Sequence, residues 1–178
     1  MKHPIGTALC LAIMATAFTV PTLAADLTVI MHRATQEGTG DALGIIAIAS
    51  SDAGATFTLH LHGLAPGPHG FHVHENANCG PTYLNGVRIP AGAAGGHLDP
   101  DETGTHEGPT GQGHLGDLPV VDVAADGTAS QTLTAPRIKD IKVLKGHALI
   151  IHIGGDNYSD TPSLGGGGGG RFACGLIP

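Results

Sequence analysis

Apolar and polar residues alternate along most of this chain in short runs with a period of two, the spacing of a strand with one buried face. Eight runs read this way: 27–33, 43–49, 56–62, 70–75, 119–123, 129–134, 147–153 and 173–177. They are rich in β-branched residues and are separated by Gly, Pro and Asp, as at Ala125-Asp126-Gly127. No internal repeat and no long helical period interrupts them. The pattern predicts an all-β domain, an eight-stranded antiparallel sandwich or barrel. The segment 137–145 is ambiguous and could hold a short helical turn.

Two stretches refuse the alternation, 76–118 and 154–171. Loops of this length inside a compact domain are uncommon and are usually functional or disordered. The first is glycine-rich, so its backbone can turn sharply around an ion, and an ion and a disulfide would be what orders it. The second carries six consecutive glycines at 165–170. By composition that run reads as a flexible linker, and with no second domain after it, as a surface loop returning to the last strand.

The first residues read as an export signal. Lys2 and His3 give a polar start, an apolar stretch runs from 8 to 20, Pro21 breaks it, and Thr22-Leu23-Ala24 ends in a small residue. The stretch is too short to anchor in a bilayer. Cleavage is expected after Ala24, with Ala25 the alternative, which makes residues 1–24 a leader and 25–178 one domain. Cys10 follows Leu9, where a lipoprotein signal would carry a small residue. Losing Lys2 leaves 7 basic against 15 acidic side chains, a net charge of −8. So acidic a chain has no footprint for nucleic acid, and no membrane contact is expected once the leader is gone. The expected compartment is the periplasm. Cys79 and Cys174 remain, and an oxidising compartment favours their pairing over two buried free thiols.

The histidines change the picture from fold to chemistry. His72 and His74, two apart on a strand, project from one sheet face and make half of a metal site. The pattern alone is weak, since His60 and His62 repeat it, and that second pair reads as a solvated strand face. The loop is more specific: His97, eight residues, His106, seven, His114, two, Asp117. Three imidazoles and a carboxylate close a tetrahedral zinc site, a structural arrangement with no open position. A zinc hydrolase would need that open position and a general base, for which only Glu107 is at hand. His152 comes from a separate strand, so two metals could share one imidazole.

The motifs GFHVHE, GGHLDP, GHLGDLP, HIGGDN and RFACGLIP together resemble the copper–zinc superoxide dismutases in their bacterial exported form, over essentially the whole of 25–178. The resemblance implies a Greek-key, immunoglobulin-like barrel with two long functional loops. It implies one copper on His72, His74, His97 and His152, and one zinc on His97, His106, His114 and Asp117, bridged by His97. It gives Asp156 as the carboxylate linking His72 to His106 behind the metals. It gives Arg171 as the guanidinium that holds the anion beside copper, and a Cys79–Cys174 disulfide bracing that segment. His69 is expected to be buried and not a ligand, and His32 and His147 to be ordinary. The implied reaction is dismutation of superoxide, with copper cycling, zinc fixed and His97 carrying a proton. The chain is then a monomer or a homodimer. One or more of Lys139, Lys142, Lys145 and Arg88 is expected to edge the route of the anion. A copper or zinc carrier on the same fold would typically lack a copper ligand or the arginine, and none is missing here. A purely structural zinc protein would leave His72, His74 and His152 without a use.

Overall fold

The computed structural model describes residues 25–178, and the expected leader at 1–24 lies outside them. The strands are β1 (Leu27–Ala34), β2 (Thr39–Ser51), β3 (Gly54–Leu61), β4 (Gly67–His69), β5 (Phe71–His74), β6 (Thr82–Leu84), β7 (Val87–Ile89), β8 (Val121–Val123), β9 (Ala129–Ala135), β10 (Ala148–His152) and β11 (Arg171–Leu176). Each of the eight expected runs overlaps one of them. Seven pair antiparallel in the order β5-β10-β11-β1-β2-β3-β9, and β4 pairs with β8.

Only Gly70 separates β4 from β5, so the two behave as one strand broken at a kink. Its first half pairs with β8 and its second with β10. From β8 the chain returns into β9 through a tight turn closed by Gly127 N–H to Ala124 O, with Gly127 at φ +81°. That turn brings the far edge, β9, back toward β4 and β5, and the sheet curls into a barrel.

The period of two does what it promised. On β1, Leu27, Val29 and Met31 are buried while Thr28 and Ile30 face outward. Phe57 and Phe71 meet edge to face at the centre, 5.7 Å between centroids. Each such buried side chain contributes roughly 1.5–3 kcal/mol. β5 and β10 break the rule, being buried on both faces. Phe71, Val73, Leu149 and Ile151 point into the core. The opposite face, carrying His72, His74 and Ile150, is covered by the long loops, and that cover makes the site.

Three local features add to the sequence reading. The loop over 76–118 is not structureless, because β6 and β7 form a hairpin within it. Its turn is Asn85-Gly86, both at positive φ (51° and 80°). This is the arrangement a type I′ turn requires, and Asn-Gly between apolar residues is its sequence signal. The expected helical turn is a 3-10 segment, Ile141–Leu144, capped by Asp140, whose carboxylate accepts the Lys142 N–H at 2.9 Å. The glycine run is not a free linker: Gly166 and Gly168 are buried, with Gly165–Gly167 in a 3-10 turn.

Candidate metal centre

β5 is an edge strand, and both ends of the first long loop return to its free side. Leu98 N–H donates to Val73 O, Val73 N–H to Gly116 O, and Leu118 N–H to Phe71 O. These bonds set His74 opposite His97 and His72 opposite Asp117. His152 ends β10, where a register shift after Ile151 places it across from Arg171. The resulting ligand atoms fall into two sets, each within 4.8 Å: His72, His74, His97, His152, and His97, His106, His114, Asp117. His97 belongs to both. A third group, His72, His106 and Asp156, joins them from behind.

Hydrogen bonds fix which nitrogen each ring offers. His74 directs Nδ1 to Gly95 O at 3.0 Å, and His152 directs Nδ1 to Gly169 O at 3.1 Å. Both must donate there, so their Nε2 atoms, 3.4 Å apart, face one another as two lone pairs. His72 spends Nε2 on Asp156 at 2.7 Å, and its buried Nδ1 has no partner. Acceptors converging without a donor ask for a cation. The second set repeats the logic. Nδ1 of His97, His106 and His114 lie 2.9, 2.9 and 3.3 Å from a single oxygen, Asp117 Oδ1. His106 gives Nε2 to Asp156 at 2.8 Å, and its Nδ1 has no hydrogen-bond partner. An all-imidazole set suits copper, and three imidazoles with one carboxylate suit zinc. The residues present fit both ions.

The electrostatics agree. Burial lowers His72 to about 4 and His152 to about 3, and pushes His74 well below its usual value, so all three are neutral ligands at pH 7. Burial works against a charge on His106 too, but Asp117 and Asp156 outweigh it and raise it to about 9. Both carboxylates are in turn held well below the ordinary range: burial opposes their charge, and the imidazoles around them overcome it.

Arg171, first residue of β11, is pinned by the carbonyls of Ala91 and Gly95. Gly95 O also takes the His74 ring, so the guanidinium is registered to the all-imidazole set. The Cys79–Cys174 disulfide ties this loop to β11, with Ala91, Ala94, Ala148 and Ile150 packed around it. A cleft of about 390 Å³ opens beside His97 and His114, walled by Glu75, Asp99, Asp160 and Leu164. A second, of about 370 Å³, lies between Arg171 and the β6–β7 hairpin.

The remaining histidines stand apart. His69 is buried with both ring nitrogens 2.7 Å from carbonyls, of Ala65 and His152. His32 and His147 bond to Gly40 O and Glu75 O. His60 and His62 are exposed, with no third ligand beside them among the described residues. Lys142 and Lys145 line a different cleft, with Asp26, Ser50 and Asp140. Of the four basic residues considered for steering, only Arg88, over the Tyr83 ring at 5.9 Å, sits in an element bordering the Arg171 cleft. Sequence reasoning missed Tyr158, Asp160 and Gly166. Nothing local marks them, because each acts on a partner 50 or more residues away or on a neighbour brought there by the fold.

The family model for copper/zinc superoxide dismutase matches residues 42–177. A Cu-Zn superoxide dismutase of Salmonella typhimurium, the second of that name, is 53% identical over 154 residues, covering 86% of this chain and 89% of that one. The solved Cu/Zn superoxide dismutase from Brucella abortus superposes with a TM-score of 0.84 at 48% identity, covering 85% of this chain and 98% of that one. The monomeric enzyme from Salmonella enterica gives 0.77 at 52%, over 87% and 100%. The shared imidazole, the curled sheet and these likenesses over most of the length lead to one assignment: this chain belongs to the copper/zinc superoxide dismutase family.

Proposed function

We propose that the chain dismutes superoxide to dioxygen and hydrogen peroxide, with copper held by His72, His74, His97 and His152 and zinc by His97, His106, His114 and Asp117. The observation that carries the reading is His97, which belongs to both ligand sets, with Nδ1 2.9 Å from Asp117 Oδ1 and its ring against those of His72, His74 and His114. When bound, copper supplies the one-electron redox change and zinc keeps its oxidation state.

The chain's own residues do the rest. Arg171 presents a fixed guanidinium, matched to a small anion, and its two carbonyl anchors stop it from swinging onto a carboxylate. His97 is 10% exposed, so it can take a proton from the cleft and return it to the departing product. Asp156 locks the rings of His72 and His106 through their far nitrogens, so both stay aimed without a metal's help. The disulfide keeps the Ala91–Gly95 carbonyls where Arg171 needs them.

Residues 1–24 act as the export leader, 25–178 as the mature domain, and the protein works in the periplasm as a monomer or homodimer. The test is dismutation by the purified 25–178 chain, with copper and zinc counted in the same sample and the mature N-terminus sequenced. Rapid turnover at one copper and one zinc per chain, lost on copper removal, is the expected result. Full occupancy without turnover would make this a metal-binding relative instead.

A further inference from the structure

The turn that carries Asp156 is held by a residue in a costly conformation. Tyr158 has φ +57°, the left-handed region, where a bulky aromatic stays only if its surroundings hold it. Core burial does not explain its placement, since it is 38% exposed. Three contacts do. Its backbone N–H donates to Asp156 Oδ1 at 2.7 Å, the same oxygen that takes His106 Nε2. Its hydroxyl oxygen accepts the Val120 N–H at 3.0 Å, three residues beyond Asp117. Its ring lies on Gly108, two residues beyond His106, so closely that a Cβ there would stand 2.6–2.7 Å from ring atoms.

We infer that Tyr158 is a positioning residue that sets the Asp156 carboxylate between His72 and His106 and thereby controls how firmly zinc is kept. This rests on the copper–zinc reading above. Asp156 must present Oδ2 to His72 and Oδ1 to His106 at once, and small rotations of the carboxylate lose one of them. The glycines before it, Gly154 and Gly155, cannot supply that stiffness. Tyr158 supplies it from the other side. Its N–H reaches back to the carboxylate, while its ring and hydroxyl reach forward to the two arms of the zinc loop. Letting go of Val120 frees the backbone to leave the left-handed region, and the N–H then turns away from Asp156. Asp160 secures the same loop by a separate route, joining the His106 and Gly165 N–H groups, so the fold does not depend on Tyr158.

Two variants separate the parts of the device. Tyr158→Phe keeps the ring on Gly108 and loses the Val120 bond. Tyr158→Gly accepts the backbone angle and loses both ring and hydroxyl. Copper- and zinc-loaded proteins are challenged with a zinc chelator and the release is timed. The copper(II) EPR spectrum and the melting of the metal-free forms are recorded alongside. Zinc should leave about tenfold faster from Tyr158→Gly and by a smaller factor from Tyr158→Phe, with a shifted EPR spectrum as His72 loses its fixed partner. Gly108→Ala pushes the ring from the opposite side and gives the same change should Tyr158→Gly not fold. Release and EPR at wild-type values overturn the inference, and so does a lower melting temperature with both unchanged, which would be packing alone. A wild-type chain that keeps no zinc removes the copper–zinc reading as well, whereas unaltered variants of a zinc-retaining wild type remove this inference only.

Discussion

Gly166→Ala puts the link between the two metal sites under direct strain. A Cβ at position 166 would stand 2.5 Å from the Asp156 carboxyl carbon and 2.8 Å from His106 Nε2. Ordinary carbon–carbon contact is about 3.5–4.0 Å, so the carboxylate must retreat by roughly 1 Å. Its bonds to His72 and His106, now 2.7 and 2.8 Å, would then stretch beyond hydrogen-bonding range. Each is charge-assisted and buried, worth on the order of 1.5–3 kcal/mol. Gly166 also has φ +71°, which costs an alanine a further 1 kcal/mol or so. The expected outcome is a zinc affinity lower by about 10- to 100-fold, read by chelator competition, with a lower melting temperature for the metal-free protein. Gly169→Ala is the control. Its φ is +69°, but a Cβ there meets nothing within 4 Å, so it should show the backbone cost without the loss of zinc. Equal zinc affinities for Gly166→Ala, Gly169→Ala and wild type would refute the reasoning and return the glycine run to the status of a linker.

Other perturbations probe the anion seat, the disulfide and the titrating groups. Arg171→Lys cannot span the Ala91 and Gly95 carbonyls as a fork, and should cut kcat/KM about tenfold at unchanged metal content, about 1.4 kcal/mol of transition-state binding. Stopped-flow dismutation with metal analysis decides it, and an undiminished rate would take the anion role from Arg171. Cys79→Ser with Cys174→Ser opens a closure of 95 residues and should lower urea stability by about 4–5 kcal/mol, an upper value for chain entropy. A drop under about 1 kcal/mol would mean that the loop is held by its backbone bonds to β5. The metal-free protein should be most stable near neutral pH. His72 and His152 have folded values of about 4 and 3 against 6.5 unfolded, so stability is lost as pH falls below 6.5, with His74 acting in the same direction. His106, raised to about 9, contributes stability below 6.5 that fades as pH rises through 9. Melting of the metal-free chain from pH 4 to 9 tests both arms: a rise in stability as pH falls below 6.5 would contradict the first, and no loss between pH 7 and 9 the second.

The strands were legible because burial of one face imposes a period of two, and no tertiary knowledge is needed to see Leu27, Val29 and Met31 fall on one side. The residues that gather at the candidate metal centre were legible because histidine and aspartate are scarce chemistry at tight spacing, and because the motifs around them resemble a family. The β6–β7 hairpin is also written locally, in Asn85-Gly86, although strands of three residues are too short to show an alternation. What the linear chain does not carry is anything that depends on which segments meet. A glycine run reads as slack until Asp156 and His106 are seen against Gly166. Lys142 and Lys145 read as a steering patch until the barrel places them at another cleft. Tyr158 reads as one more loop residue until its ring, hydroxyl and N–H are found on three separate parts of the site. Patterning within a segment follows from what one residue does to its neighbours in sequence. The positions of carbonyls and lone pairs around a metal are set by long-range register, and only the folded chain decides them.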